Sequence, residues 1–170
     1  MKRNKKILSF LFLTVIMISC KKEDFNGLSD VRPAVPVTVT NAIDFRPEPT
    51  VSTSIGAGGA IQIILAIPAS TGKKIKEITR IAANTTYTAI QSAGTTGFYT
   101  TTPPFTPIPV NAITYTFNTT LAEYVVKGPG TIPPVSATVG TELAKRFYFR
   151  ITLDDGSVII PEPVRVLVTN

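Results

Sequence analysis

Hydrophobic and polar residues alternate with a period of two along most of the chain, and this alternation predicts strands. Val35, Val37 and Val39 interleave with Pro36, Thr38 and Thr40, which puts the three valines on one face. Ala60 to Ile67 places Ile61, Ile63, Leu65 and Ile67 on one side and Gln62, Ile64 and Ala66 on the other, the pattern of a central strand apolar on nearly both faces. Ile113, Tyr115 and Phe117 alternate with threonines, and Tyr87 to Ile90 reads as a short edge strand. Ile75, Ile78 and Ile81 fall three apart, which also suits a helix, but Gly72 precedes them and β-branched residues dominate, so a bulged strand is expected.

The C-terminal region carries the strongest local pattern. Phe147, Phe149, Ile151 and Leu153 face one way and Arg146, Tyr148, Arg150 and Thr152 the other. Asp155-Gly156 then predicts a two-residue type I′ turn into Val158–Ile160. Pro161-Glu162-Pro163 forces an edge or a sheet-switching kink before Val164, Val166 and Val168. One short helix is expected from Thr120, whose spacing to Glu123 fits a capping box, with Leu121, Tyr124 and Val125 on its inner side and Gly128-Pro129 ending it. About seven short strands without βαβ alternation predict an all-β, antiparallel sandwich. Its order resembles an immunoglobulin-like module. The buried Trp and paired cysteines of antibody domains are absent, so that resemblance carries architecture and no binding residues.

The first 20 residues break the pattern. Lys2, Arg3, Lys5 and Lys6 precede a mostly apolar run from Ile7 to Ile18, too short to span a bilayer and closed by Ser19, Cys20, Lys21 and Lys22. Met17-Ile18-Ser19-Cys20 resembles the lipobox of bacterial lipoproteins, with Ser19 fitting the pattern and Met17 replacing the preferred Leu. The resemblance implies cleavage before Cys20 and acylation of its thiol, hence a membrane anchor without a spanning helix. Lys22-Glu23-Asp24 is similar to the short charged signal that directs lipoproteins of Bacteroidota to the outer leaflet; the same residues also suit an ordinary solvated tether. The expected organisation is a signal peptide over 1–19, a lipidated Cys20 with tether over 20–34, and the sandwich over 35–170. The expected location is the outer membrane at the cell surface, with its periplasmic face as the alternative.

Composition narrows the chemistry. The chain of 170 residues carries 17 basic and 11 acidic residues, a net charge of +6, but setting aside the four leader cations leaves 13 against 11. That residue of charge gives little drive for phosphate contacts, so the cluster Lys73, Lys74, Lys76 and Arg80 reads as a solvated strand face and no nucleic-acid partner is expected. The absence of His excludes His-dependent triads and His-ligated metals within this chain, and a single Cys excludes an intramolecular disulfide. Asp154-Asp155-Gly156-Ser157 lacks the alternate oxygen ligands and distant Glu of an EF-hand loop, and Gly56-Ala57-Gly58-Gly59 lacks the Lys-Ser/Thr of a phosphate loop. No metal or cofactor is expected beyond the covalent lipid, and the acids show no pairing that would suggest a glycosidase.

One segment invites a binding role. Residues 94 to 110, rich in Pro and Thr, carry Phe98, Tyr99 and Phe105. Aromatics on a Pro-stiffened loop lose little entropy on binding and could stack on a sugar ring or partner surface; they could equally cap the open end of the sandwich. The sequence thus predicts a non-enzymatic binding module for a glycan or protein ligand, or a structural subunit packing against an outer-membrane partner.

Overall fold

The computed structural model describes residues 33 to 91, 99, 106 to 128, 130 to 134 and 140 to 170. Cys20 and the Lys22-Glu23-Asp24 signal lie outside the described residues, as do Phe98 and Phe105. Pro33 to Asn170 forms one unit.

Its strands are β1 (Thr38–Val39), β2 (Thr50–Ser54), β3 (Ala60–Ala66), β4 (Ile75–Asn84), β5 (Ile108–Ala112), β6 (Thr114–Thr120), β7 (Thr141–Glu142), β8 (Arg146–Leu153), β9 (Val158–Ile159) and β10 (Arg165–Thr169). Among the described residues two short helices, α1 (Thr88–Gln91) and α2 (Leu121–Lys127), and a 3₁₀ turn at Ala69–Thr71 join them. One layer has the order β1-β3-β6. The other has the order β5-β4-β8-β9, and the trio β2-β10-β7 joins it through paired hydrogen bonds between Phe147 and Val164 at 2.9 and 2.8 Å. The fold is therefore an all-β sandwich, and its core is the alternating apolar face of each strand: Ile61, Ile63 and Leu65 from β3, Phe147, Phe149, Ile151 and Leu153 from β8, Val166 and Val168 from β10.

The three-residue spacing of Ile75, Ile78 and Ile81 has a strand explanation. Against β8, Ile75 faces Leu153, Ile78 faces Ile151 and Ile81 faces Phe149, with a bulge in each interval. Three residues of β4 thus span two of β8, and all three isoleucines stay buried.

Several expectations are corrected. Tyr87–Ile90 is no strand: α1 is a single helical turn whose Ile90 is buried against Ala82 and Tyr148, with Ile90 N–H donating to the Tyr87 carbonyl at 3.0 Å. The sandwich is not wholly antiparallel, because the Pro161–Pro163 kink carries the chain out of the β8–β9 hairpin and lays β10 parallel to β2. The hairpin loop has three residues, closed by the Leu153 N–H on the Ser157 carbonyl at 2.9 Å, and only Gly156 takes a positive φ, 84°. A type I′ turn would need a second such residue, and Asp155 does not supply one. Asp155 instead pins the loop, accepting from Ser157 N–H at 2.9 Å and pairing with Lys73 at 2.8 Å, contacts that hold its carboxyl well below the usual range. In α2 the Thr120 hydroxyl caps the Glu123 N–H at 3.1 Å, and Leu121 and Tyr124 are buried, but Val125 is exposed because so short a helix rests only one narrow stripe on the sheet. Finally, Ile108–Ala112, part of the supposed 94–110 connection, is the edge strand β5, where Pro109 is tolerated.

Candidate functional site

Among the described residues an apolar groove of about 370 Å³ lies where the entry segment meets the sheet-switching kink. Val35, Val37 and Val39 form one side of it, with Val35 and Val37 partly buried against the core and Val39 buried; Ile159 and Pro161 form the other. Pro33 and Val35 also border a second hollow of about 270 Å³ beside Val158 and Ile159, so the entry segment is a wall between two depressions.

Two aromatic side chains rim the larger groove without being buried by it: Phe45 is 58% exposed and Tyr87 44%. Local structure sets both. Phe45 sits on the loop between the Asp44–Thr50 bridge, whose ends are tied by Ile43 N–H to the Thr50 carbonyl and Thr50 N–H to the Asp44 carbonyl, each 2.8 Å. The Asp44 carboxylate accepts from the Phe45 N–H at 2.7 Å and the Arg46 N–H at 3.2 Å, an Asx turn that aims the Phe45 ring outward. Tyr87 opens α1 and rests edge-on against Tyr148, ring centroids 4.9 Å apart. Burial of its hydroxyl end, followed by the charges of Tyr148, Glu48 and Glu162, pushes the Tyr87 pKa up, so it is a neutral donor at physiological pH.

The Asx turn makes the rim acid-sensitive. The two backbone N–H groups lower the Asp44 pKa from its ordinary 3.8. A depressed carboxyl contributes order that is present above the ordinary value and is lost as pH falls through the depressed one. Protection of the Phe45 and Arg46 amides, taken as the exchange rate relative to the intrinsic rate at the same pH, is expected near neutrality and to be lost in acid below about pH 4, whereas Asp44→Ala lacks it throughout; equal protection in the variant at neutral pH would refute the turn's role.

The described residues of the 94–110 segment do not line this groove. The segment's described aromatic, Tyr99, donates its N–H to the Ile81 carbonyl at 3.0 Å and packs its ring against Phe117 at 5.5 Å and Phe147 at 5.4 Å. Its hydroxyl is buried near Thr119 and Glu123 with no hydrogen bond among the described residues, since Thr119 donates to Glu123 at 2.8 Å; burial pushes its pKa well up. Tyr99 thus caps the core. Sequence reasoning missed Phe45 and placed Tyr87 in a strand; the available signal was an aromatic directly after Asp44 in a stretch without periodicity.

Among the described residues no cluster of three or more His, Cys, Asp or Glu could hold a metal, and no helix is long and apolar enough to cross a membrane. No family model matches the chain, and neither does any curated protein or solved structure.

Proposed function

We propose that this chain is a lipid-anchored, non-enzymatic binding module of a bacterial cell envelope, carried on an immunoglobulin-like sandwich and presenting its groove to a glycan at the cell surface. The observation that carries the reading is the apolar groove rimmed by exposed Phe45 and Tyr87. Exposed aromatic faces beside an apolar floor suit the C–H-rich face of a sugar ring, and both rings are held in place before any ligand arrives. The immunoglobulin-like part is supported by the β1-β3-β6 layer opposed to β5-β4-β8 and by the parallel pairing of the last strand, β10, with β2. Anchorage through Cys20 and surface export through Lys22, Glu23 and Asp24 rest on the leader pattern.

The double variant Phe45→Ala/Tyr87→Ala is expected to lose saturable binding to a panel of soluble polysaccharides by about tenfold or more while keeping its melting temperature, since neither ring is core. Protease accessibility on intact cells, with mass spectrometry of the mature N-terminus, tests the location and the Cys20 acylation in the same strain. A second reading, a subunit that adds a partner's strand, is favoured by β6. Its ladder to β3 uses every other residue, so the N–H groups of Thr116 and Asn118 point away from β3, and among the described residues no strand pairs with that edge. Absence of polysaccharide binding together with co-purification of one stoichiometric protein would replace the first reading with the second.

A further inference from the structure

Strand β6 is a sheet edge without the usual protection against pairing. Edges are commonly blunted by brevity, charge, proline or a bulge. Among the described residues, β1, β7 and β9 have two residues each, and β5 carries Pro109 and the left-handed Asn111 (φ 52°). β2 lies against β3 of the other layer, where the Thr53 hydroxyl donates to the Ala60 carbonyl at 2.6 Å. β6 instead runs from Thr114 through Tyr115, Thr116, Phe117, Asn118 and Thr119 to Thr120 with no charge, no proline and an unbroken register against β3.

The ladder fixes which groups this edge presents. At its two ends the Ile67 N–H donates to the Ile113 carbonyl and the Leu121 N–H to the Gly59 carbonyl, both at 2.9 Å, so the odd-numbered residues of β6 bond to β3. The N–H and C=O of Thr114, Thr116 and Asn118 therefore face outward, and among the described residues no backbone group pairs with them. Thr120 ends the row, because as the N-cap of α2 its carbonyl takes the first bond of that helix. Side chains follow the same alternation. Thr114, Thr116 and Asn118 are exposed on the outer face, while Tyr115 is partly buried and Phe117 buried toward the core. The Asn118 Oδ1 accepts from the Gln62 Nε2 at 3.1 Å, which leaves the Asn118 amide hydrogens for another acceptor.

We infer that β6 pairs with β6 of a second copy of this chain, antiparallel about a two-fold axis at Thr116, joining two β1-β3-β6 layers into one continuous sheet. Only a centre at Thr116 matches the free residues with one another: Thr116 meets Thr116, Thr114 meets Asn118, and each pair exchanges both of its backbone hydrogen bonds. A centre at Tyr115 would pair Asn118 with Ala112, which already belongs to β5, and a centre at Phe117 would pair Thr114 with Thr120, whose carbonyl is taken. On the inner face the Thr116 centre sets Tyr115 opposite the second copy's Phe117, at the closer spacing that favours aromatic pairs. On the outer face Thr114 receives the second copy's Asn118, with its amide hydrogens unused. A strand without charge does not repel its own copy. The pairing is independent of the glycan reading, since no residue of β6 lines the groove, and shares with the strand-adding reading only the free edge.

The test is sedimentation of the full chain in a large excess of non-ionic detergent micelles, comparing wild type, Thr116→Lys, Thr116→Glu and an equimolar mixture of the two variants. Thr116 is exposed, so both variants are expected to keep the wild-type melting temperature. An edge contact is small, so the wild type is expected to be a dimer at about 100 μM that dissociates on dilution. Each variant alone sets like charges against each other at the axis and is expected to associate about tenfold or more weakly, whereas the mixture opposes lysine with glutamate and restores the dimer. The wild type also reports without any variant: exchange protection of the Thr116 and Asn118 amides rises with protein concentration, and protection that stays flat overturns the pairing. A wild type that is monomeric at the higher concentration overturns it too; if that monomer co-purifies with a different protein, lost in Thr116→Lys, the strand-adding reading stands in its place. Undiminished dimers of both variants place the contact on another surface, and weakened variants that the mixture does not rescue exclude Thr116 as the axis. Either result overturns the pairing.

Discussion

Deleting Arg150 is expected to leave a chain that does not fold, while deleting Thr79, across the sheet from it, leaves the native fold. The two residues look alike by exposure, both partly buried on the outer face of the β4–β8 pair. They differ in what the strand does around them. In β8 the side chains alternate strictly, with Phe147, Phe149, Ile151 and Leu153 all buried. Removing Arg150 makes Phe149 and Ile151 adjacent, so whichever phase the strand keeps, two of the four turn outward. Losing a buried large apolar side chain costs roughly 2–5 kcal/mol, and two such losses approach the whole stability of about 5–15 kcal/mol of an ordinary domain. In β4 the extra residue is already present: Thr79 and Arg80 together oppose Arg150, and deleting Thr79 restores two-residue spacing between Ile78 and Ile81 with both still inward. The expected loss is about 1 kcal/mol, for the Thr79 hydroxyl's bond to the Arg150 carbonyl. Dispersed amide NMR spectra check the pair: dispersion in the Thr79 deletion and collapse in the Arg150 deletion are the expected results. Collapse in both would mean that the bulge is a required bend.

The same bulges explain why parts of the fold are legible in the sequence and parts are not. Alternation in β3 and β8 has a single solution, because a slip of one residue would expose a whole apolar face. The three-residue step through Ile75, Ile78 and Ile81 fits a helix or a doubly bulged strand, and only the β-branched composition favours the strand. Tyr87 and Ile90 show the opposite outcome. Their own run suits a strand, yet what decides it is the Tyr148 ring from a distant strand, over which a helical turn can lay both side chains. The turn at Asp155-Gly156 was located by composition but not typed, since the number of loop residues follows from where Leu153 and Ser157 pair. The groove escaped altogether: its walls come from the entry valines and a Pro kink at opposite ends of the chain, and no local pattern links them. Reading residues 94–110 as a loop likewise failed where Ile108–Ala112 pairs with β4.

Phe147→Ala is expected to cost about 3–5 kcal/mol, the largest effect of any single substitution proposed for this chain. Its ring is fully buried and meets three others, Tyr99 at 5.4 Å, Phe117 at 5.7 Å and Tyr124 at 6.1 Å. With Phe147 on β8, Phe117 on β6 of the other layer, Tyr124 on α2 and Tyr99 on its own segment, truncation empties the place where four separate stretches of chain meet. None of the neighbours can follow the backbone inward to fill it: Tyr124 is tethered by the Lys145 N–H on its hydroxyl at 3.1 Å, and Phe117 is fixed in the β3–β6 ladder. The backbone of Phe147 keeps both hydrogen bonds to Val164, since neither uses the side chain. Urea unfolding should therefore show a lower midpoint with an unchanged slope, the mark of a weakened core that still melts as one unit. A reduced slope would instead mean that the two layers have uncoupled, making Phe147 the residue that joins them; Val125→Ala, on the exposed side of α2, should move the midpoint hardly at all.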